Sequence, residues 1–203
     1  MKKVPEFETA EVWEGRYHDK STRWERDDIN GALDEWLTSQ QLQPGRILIP
    51  GCGRAAEPFY LAERGFEVVA LDFAPSAIKH QQQRLHSYEN PPSVRFEQVD
   101  VMNWRAAAPF DAIYEQTCLC ALNPGQRQDY AAQLHGWLKP GGKLFALFMQ
   151  TNREGGPPFH CPMDEMRQLF GPAKWQWPDH DGLRSDHSNN KVEIGMVLTR
   201  LTD

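Results

Sequence analysis

The chain has 203 residues, 40% hydrophobic and 25% charged, which is enough for one domain with its own core and no need of disulfide staples. Its net charge of −6, with no block of Lys or Arg, argues against a nucleic-acid partner. No apolar run reaches the roughly 18–20 residues that a membrane helix needs. Lys2 and Lys3 are followed by no apolar stretch, so no secretory signal is expected and a cytoplasmic address follows. Cys52, Cys118, Cys120 and Cys161 form no paired C-x-x-C motif and read as reduced thiols.

Residues 1–27 are aromatic and charged, with Trp13, Tyr17 and Trp24, too rich in rings for a solvated tail. They are expected to fold as a lid over a core formed by residues 28–203. Ile29, Leu33, Trp36 and Leu37 recur at helical spacing and predict an amphipathic helix over 29–40, with Asp27 or Asp28 as its cap. From there strands and helices alternate. Strands are expected at 46–50, 67–71, 94–99, 110–115 and 143–149, and helices at 55–64, 75–88, 125–138 and 162–170. Pro75 suits a helix start, and Pro140-Gly141-Gly142 stops the helix before it. Two last strands, 174–177 and 192–201, read as an antiparallel hairpin joined by a polar loop at 178–190. The pattern predicts an α/β fold: a doubly wound, mostly parallel sheet with helices on both faces.

Pro50-Gly51-Cys52-Gly53-Arg54-Ala55-Ala56 lies between the first strand and its helix. Glycines there let backbone pass close to a ligand at the carboxyl end of the sheet. Asp72 closes the second strand, where an acid can accept hydrogen bonds from both hydroxyls of a ribose. The run also satisfies G-x-G-x-x-A, so an NAD-dependent oxidoreductase is a competing reading, weakened by the lack of a Tyr-x3-Lys pair or a separate substrate domain. A cofactor-binding protein without catalysis is a third. Asp100 ends the third strand in Val99-Asp100-Val101, suited either to the amine and flat face of adenine or to capping a turn.

Glycine turn, Asp72, Asp100 and the Pro-Gly-Gly turn together resemble the seven-stranded S-adenosylmethionine-dependent methyltransferases. The segment 117–131, Gly156-Pro157-Pro158-Phe159 with the following Pro162-x-x-Glu165-x-x-x-Leu169-Phe170-Gly171, and the early Trp13-x3-Tyr17…Thr22-x-Trp24 resemble the thiopurine S-methyltransferase family. Pro50-Gly51-Cys52-Gly53 and Asp100-Val101-x2-Trp104 are similar to the plant thiol and halide methyltransferases of the same superfamily. These matches span most of residues 10–171.

The resemblance implies a seven-stranded sheet and methyl transfer from S-adenosylmethionine to a small soft nucleophile, foremost a thiol; a monomer acting on a small-molecule acceptor, with no metal, is expected. It also implies site roles. Trp13, Tyr17 and Trp24 cover cofactor and acceptor, and Gly51, Cys52 and Gly53 receive the methionine part. Asp72 takes the ribose, with Phe73 beside it, and Asp100, Val101 and Met102 take the adenine. Gln116, Arg153, Pro158 and Phe159 join Trp24 around the acceptor. Gln116 stands where the thiopurine enzymes carry an arginine, which removes a fixed positive charge and weakens the case for purine-like or anionic acceptors of that type. His18, Asp19 and Glu115 are possible proton acceptors, more simply read as surface or strand-end groups. Asp179-His180-Asp181 and Asp186-His187 lack metal-ligand spacing. Cys118 and Cys120 are read as packing or lining groups rather than nucleophiles.

Overall fold

A computed structural model describes residues 9–26, 28–187 and 191–202. The chain runs α1 (Ala10–His18), α2 (Gly31–Thr38), β1 (Arg46–Pro50), α3 (Glu57–Ala62), β2 (Glu67–Asp72), α4 (Pro75–His86), β3 (Val94–Gln98) and β4 (Phe110–Gln116). It continues through a 3-10 turn (Pro124–Gln126) to α5 (Arg127–Trp137), β5 (Leu138–Gln150), α6 (Met163–Leu169), β6 (Trp175–Gln176), β7 (Leu183–His187) and β8 (Lys191–Arg200).

The strands form one sheet in the order β3-β2-β1-β4-β5-β8-β6, with β7 also on β8. β1 to β5 pair in parallel and β8 runs antiparallel to β5. The parallel strands bury both faces, so their residues split by parity. Leu48, Leu71, Ile113, Leu144 and Phe148 pack with α5 and α6. Ile47, Ile49, Val68, Ala70 and Phe145 pack with α2 and α3 on the other side. The strand order reverses between β1 and its neighbours β2 and β4, which opens a crevice at their carboxyl ends. No described helix is long and apolar enough to cross a membrane.

Three expectations are corrected. The sheet has eight strands rather than seven, because the polar stretch at 178–190 contains β7, which lies on β8 from Leu183↔Gly195 to His187↔Lys191. Its alternation is masked by Arg184 and Asp186 on the exposed side, while Ser185 and His187 turn inward. The last strands are therefore not a simple hairpin, since β6 and β7 share one edge of the long β8. Finally, α2 is capped by Asn30, whose side chain accepts from the Ala32 N–H at 2.9 Å, and not by Asp28; Asp27 lies outside the described residues.

Residues 9–26 lie against the core. Trp24 packs edge-on against Trp13 and Tyr17, with centroids 5.3 and 5.7 Å apart. Glu14 accepts from the Ser76 N–H (2.9 Å) and hydroxyl at the start of α4. There it satisfies a helix-end donor and complements the dipole. Arg54 lies 4.5 Å over the Tyr17 ring and 3.8 Å from Glu25. The first eight residues of the expected lid lie outside the described residues.

Candidate active site

The turn after β1 is built around two left-handed glycines. Gly51 (φ +61°) could not carry a Cβ, which would sit 2.9 Å from Cys118 Cβ. A Cβ on Gly53 (φ +52°) would sit 2.9 Å from the Tyr17 hydroxyl. The turn thus needs glycine at both positions for conformation, and at Gly51 for space as well. Two buried side chains hold this turn. Asp72 accepts the Gly53 N–H at 2.8 Å through one oxygen and the Ala74 N–H at 2.9 Å through the other. Gln81, fully buried on α4, donates to the Gly53 and Ala55 carbonyls at 3.0 and 2.9 Å. Burial raises the Asp72 carboxyl above its ordinary pKa, and the backbone donors at Ala74 and Gly53 oppose that rise. Each oxygen keeps a lone pair free of these bonds, so Asp72 can brace the turn and still receive a ligand hydroxyl.

A cavity of about 940 Å³ opens at this end of the sheet. Of the residues singled out from sequence, Trp13, Tyr17, Trp24, Gly51, Cys52, Gly53, Asp72 and Phe73 line it. So do Asp100, Val101, Met102, Gln116, Arg153 and Pro158. Phe159 does not line it: its N–H donates to the Cys120 carbonyl at 2.7 Å and its ring closes against Gly156, so it shapes the loop behind the wall. Asp100 lines the cavity while capping its own turn, accepting from the Met102 N–H at 2.9 Å and from Asn103 Nδ2 at 2.7 Å. The capping reading of Asp100 is thus met, and its place on the cavity wall leaves it beside any ligand bound there.

The expected proton acceptors are not brought together at the cavity. His18 and Asp19 form an exposed pair at 3.3 Å. Glu115 is buried and accepts the Leu119 N–H at 2.6 Å, bracing the turn that carries Cys118 and Cys120. Burial pushes its carboxyl up to about 7. Cys52, Cys118 and Cys120 line the cavity, and burial drives all three thiols well above their ordinary pKa.

Sequence reasoning missed a polar cluster behind Gln116. Gln116 Oε1 accepts from the Tyr114 hydroxyl at 2.8 Å, and its Nε2 donates to Glu193 Oε2 at 3.1 Å. The same Glu193 oxygen accepts from Asn30 Nδ2 at 2.9 Å. Asn30 also donates its backbone N–H to Glu57 at 3.1 Å and accepts from the Ser185 hydroxyl at 2.8 Å. Burial pushes Glu193 up to about 8 and also raises Glu57, with Arg26 opposing both rises. The signal that could have found it is Glu193 itself, a charged residue at an inward position between Val192 and Ile194.

A model of the thiopurine S-methyltransferase family matches residues 8–201. The probable thiol methyltransferase 2 of Arabidopsis thaliana is 30% identical over 165 residues, covering 81% of this chain and 73% of that protein. The thiopurine S-methyltransferase of Pseudomonas fluorescens is 31% identical over 177 residues, covering 76% and 79%. Among solved structures, the 1,6-didemethyltoxoflavin-N1-methyltransferase of Burkholderia thailandensis, with its substrate and S-adenosylhomocysteine bound, superposes with a TM-score of 0.73 at 22% identity over 96% of this chain and 87% of that one.

Proposed function

The chain belongs to the thiopurine S-methyltransferase family, and from that premise we propose that its cavity joins S-adenosylmethionine to a small thiol acceptor, each held by its own part of the wall. The protein is an S-adenosylmethionine-dependent S-methyltransferase. The observation that carries the reading is the cavity itself: it lies at the carboxyl ends of β1, β2 and β4, and its glycine turn has no room for a side chain at Gly51.

The residues present fit the cofactor. The Gly51–Gly53 backbone leaves a cradle for its amino-acid part. Asp72 would accept from its ribose, and Asp100, Val101 and Met102 would surround its adenine. Trp13, Tyr17 and Trp24 line the cavity, and a ring face turned toward the cationic sulfonium would be worth about 0.5–2 kcal/mol. S-adenosylmethionine, when bound, supplies a methyl group activated by a sulfonium. What remains for the chain is alignment and the exclusion of water.

Thiols near pKa 8.5 are partly ionised at neutral pH, so the acceptor needs no strong base from the protein. The cavity's own thiols are the obvious competitors for the methyl group. Their burial keeps Cys52, Cys118 and Cys120 protonated, and a protonated thiol is a poor nucleophile. Gln116, Cys120 and Met149 bring no charge of their own to the wall and favour a soft, weakly hydrated nucleophile, because stripping water from a hard oxyanion costs more.

Residues 9–26 act in this reading as a lid that the cofactor orders, since Trp13, Tyr17 and Trp24 line the cavity from a segment preceding the core. Calorimetry with S-adenosylhomocysteine should show binding, and hydrogen exchange at residues 9–26 should slow with it; NAD should do neither. Binding of NAD in its place would overturn the cofactor assignment. Binding without any change in exchange would overturn the lid alone.

A further inference from the structure

The chain carries a net charge of −6, yet one part of the cavity wall collects positive charge. Arg23 from the N-terminal segment, Arg153 from the loop after β5 and Lys191 at the start of β8 all line it. Three stretches distant in sequence thus place cationic side chains at one opening. The first two are exposed and Lys191 is half-buried, so they form its rim. Burial, and behind it the charges of Arg153 and Arg23, hold the Lys191 ammonium below its ordinary pKa.

Arg16, Arg26 and Arg54 line the wall as well. Arg54 pairs with Glu25, Arg26 donates to the Asp186 carbonyl at 2.8 Å, and Arg16 lies over Trp13. Arg153 and Lys191 have no carboxylate within ion-pair distance among the described residues. Deeper in, the wall at the ends of β4 and β5 presents Gln116, Cys120 and Met149, none of them charged. Arg26 also reaches this part of the wall, where it faces Glu57 and Glu193; Arg153 and Lys191, which face no carboxylate of that kind, stand nearer the opening.

Building on the thiol-transfer reading, we infer that the acceptor carries two distinct ends: a thiol that reaches the floor, and a separate anionic group, a carboxylate, sulfonate or phosphate, held at the rim by Arg153, Lys191 and Arg23. A guanidinium offers paired donors to such an oxyanion and an ammonium adds a mobile point charge. A small inorganic anion, charged on its reacting atom, would satisfy only one end. Loss of the arginine at the Gln116 position thus moves the charge preference outward instead of abolishing it.

The test is kcat/KM, per thiolate present, for 3-mercaptopropionate and 2-mercaptoethanesulfonate against 2-mercaptoethanol. It is run on the full chain and on the double variant Arg153→Gln, Lys191→Gln. The full chain should favour the anionic thiols by about tenfold or more, and added salt should shrink that ratio. In the double variant the ratio should fall to about one. Because both substrates are read on the same protein, a partly unfolded variant lowers both rates and leaves the ratio interpretable. Equal rates in the full chain, or a ratio that survives in the double variant, would overturn the inference and leave thiol transfer standing. Turnover of thiophenol but of none of these three thiols would overturn this inference and leave thiol transfer standing, whereas failure of thiophenol as well would overturn both.

Discussion

Replacing Asp72 by alanine is expected to weaken S-adenosylhomocysteine binding by about 1.5–3 kcal/mol, the scale of hydrogen bonds to a charged group. The effect has two sources. A direct one is loss of the carboxylate that would receive the ribose. An indirect one is loss of the acceptor for the Gly53 and Ala74 N–H groups, which fixes the turn in which the cofactor would lie. The indirect part also lowers stability, since alanine leaves two buried donors without their acceptor, at about 1–3 kcal/mol each unless water reaches them. Asp72→Asn separates the two, because its amide oxygen can still accept one of these bonds. Titration calorimetry and thermal melts on both variants provide the check. Unchanged affinity in a folded Asp72→Ala protein would remove Asp72 from the site.

Replacing Glu193 by glutamine should stabilise the protein at pH 8 by about 2 kcal/mol or more and change it little at pH 4–5. In an unfolded chain a glutamate releases its proton near 4.5, whereas burial holds the Glu193 proton to about 8 in the fold. Between those values the folded state binds more protons than the unfolded one. Its stability therefore falls as pH rises through that window. Glu115, held to about 7, adds to the same slope. Glutamine has the shape of the neutral acid and keeps an oxygen to accept from Asn30 and Gln116, but it cannot ionise. Thermal melts from pH 5 to pH 8.5 should show a declining Tm in the wild type and a shallower decline in the variant. Parallel curves would mean that Glu193 is ionised throughout and compensated by Arg26.

The parallel core was legible because its periodicities are clean. The apolar runs at 46–50 and 67–71 are bounded by Gly and Pro, and the structure places β1 and β2 there within one residue. β7 was hidden because, of its inward residues, only Leu183 is apolar, and the buried Ser185 and His187 do not signal a strand by hydrophobicity. The cap of α2 was misplaced because Asp27, Asp28 and Asn30 are equally good caps in isolation. What selects Asn30 is its second role as donor to Glu193, a contact across 163 positions of sequence. The same reason explains the site. The glycine turn, Asp72 and Asp100 are local motifs, each readable from a few neighbours. The rim of Arg23, Arg153 and Lys191 and the cluster around Glu193 exist only once distant segments meet, so no local pattern announces them. Phe159 shows the converse: a residue inside a recognisable motif whose backbone is tied to Cys120 and whose ring packs on Gly156, outside the cavity lining.

Transfer of the methyl group to sulfur rather than oxygen is the claim on which the rest depends. The most direct measurement compares kcat/KM for matched pairs of one thiol and one phenol or alcohol of the same skeleton, such as thiophenol against phenol, at saturating S-adenosylmethionine. Gln116, Cys120 and Met149, which bring no charge of their own to the floor, predict that the thiol leads by about a hundredfold or more, because a hard oxyanion must shed more hydration to enter. Preference for the phenol would contradict the assignment of the acceptor as a thiol while leaving the fold and the cofactor cradle as described.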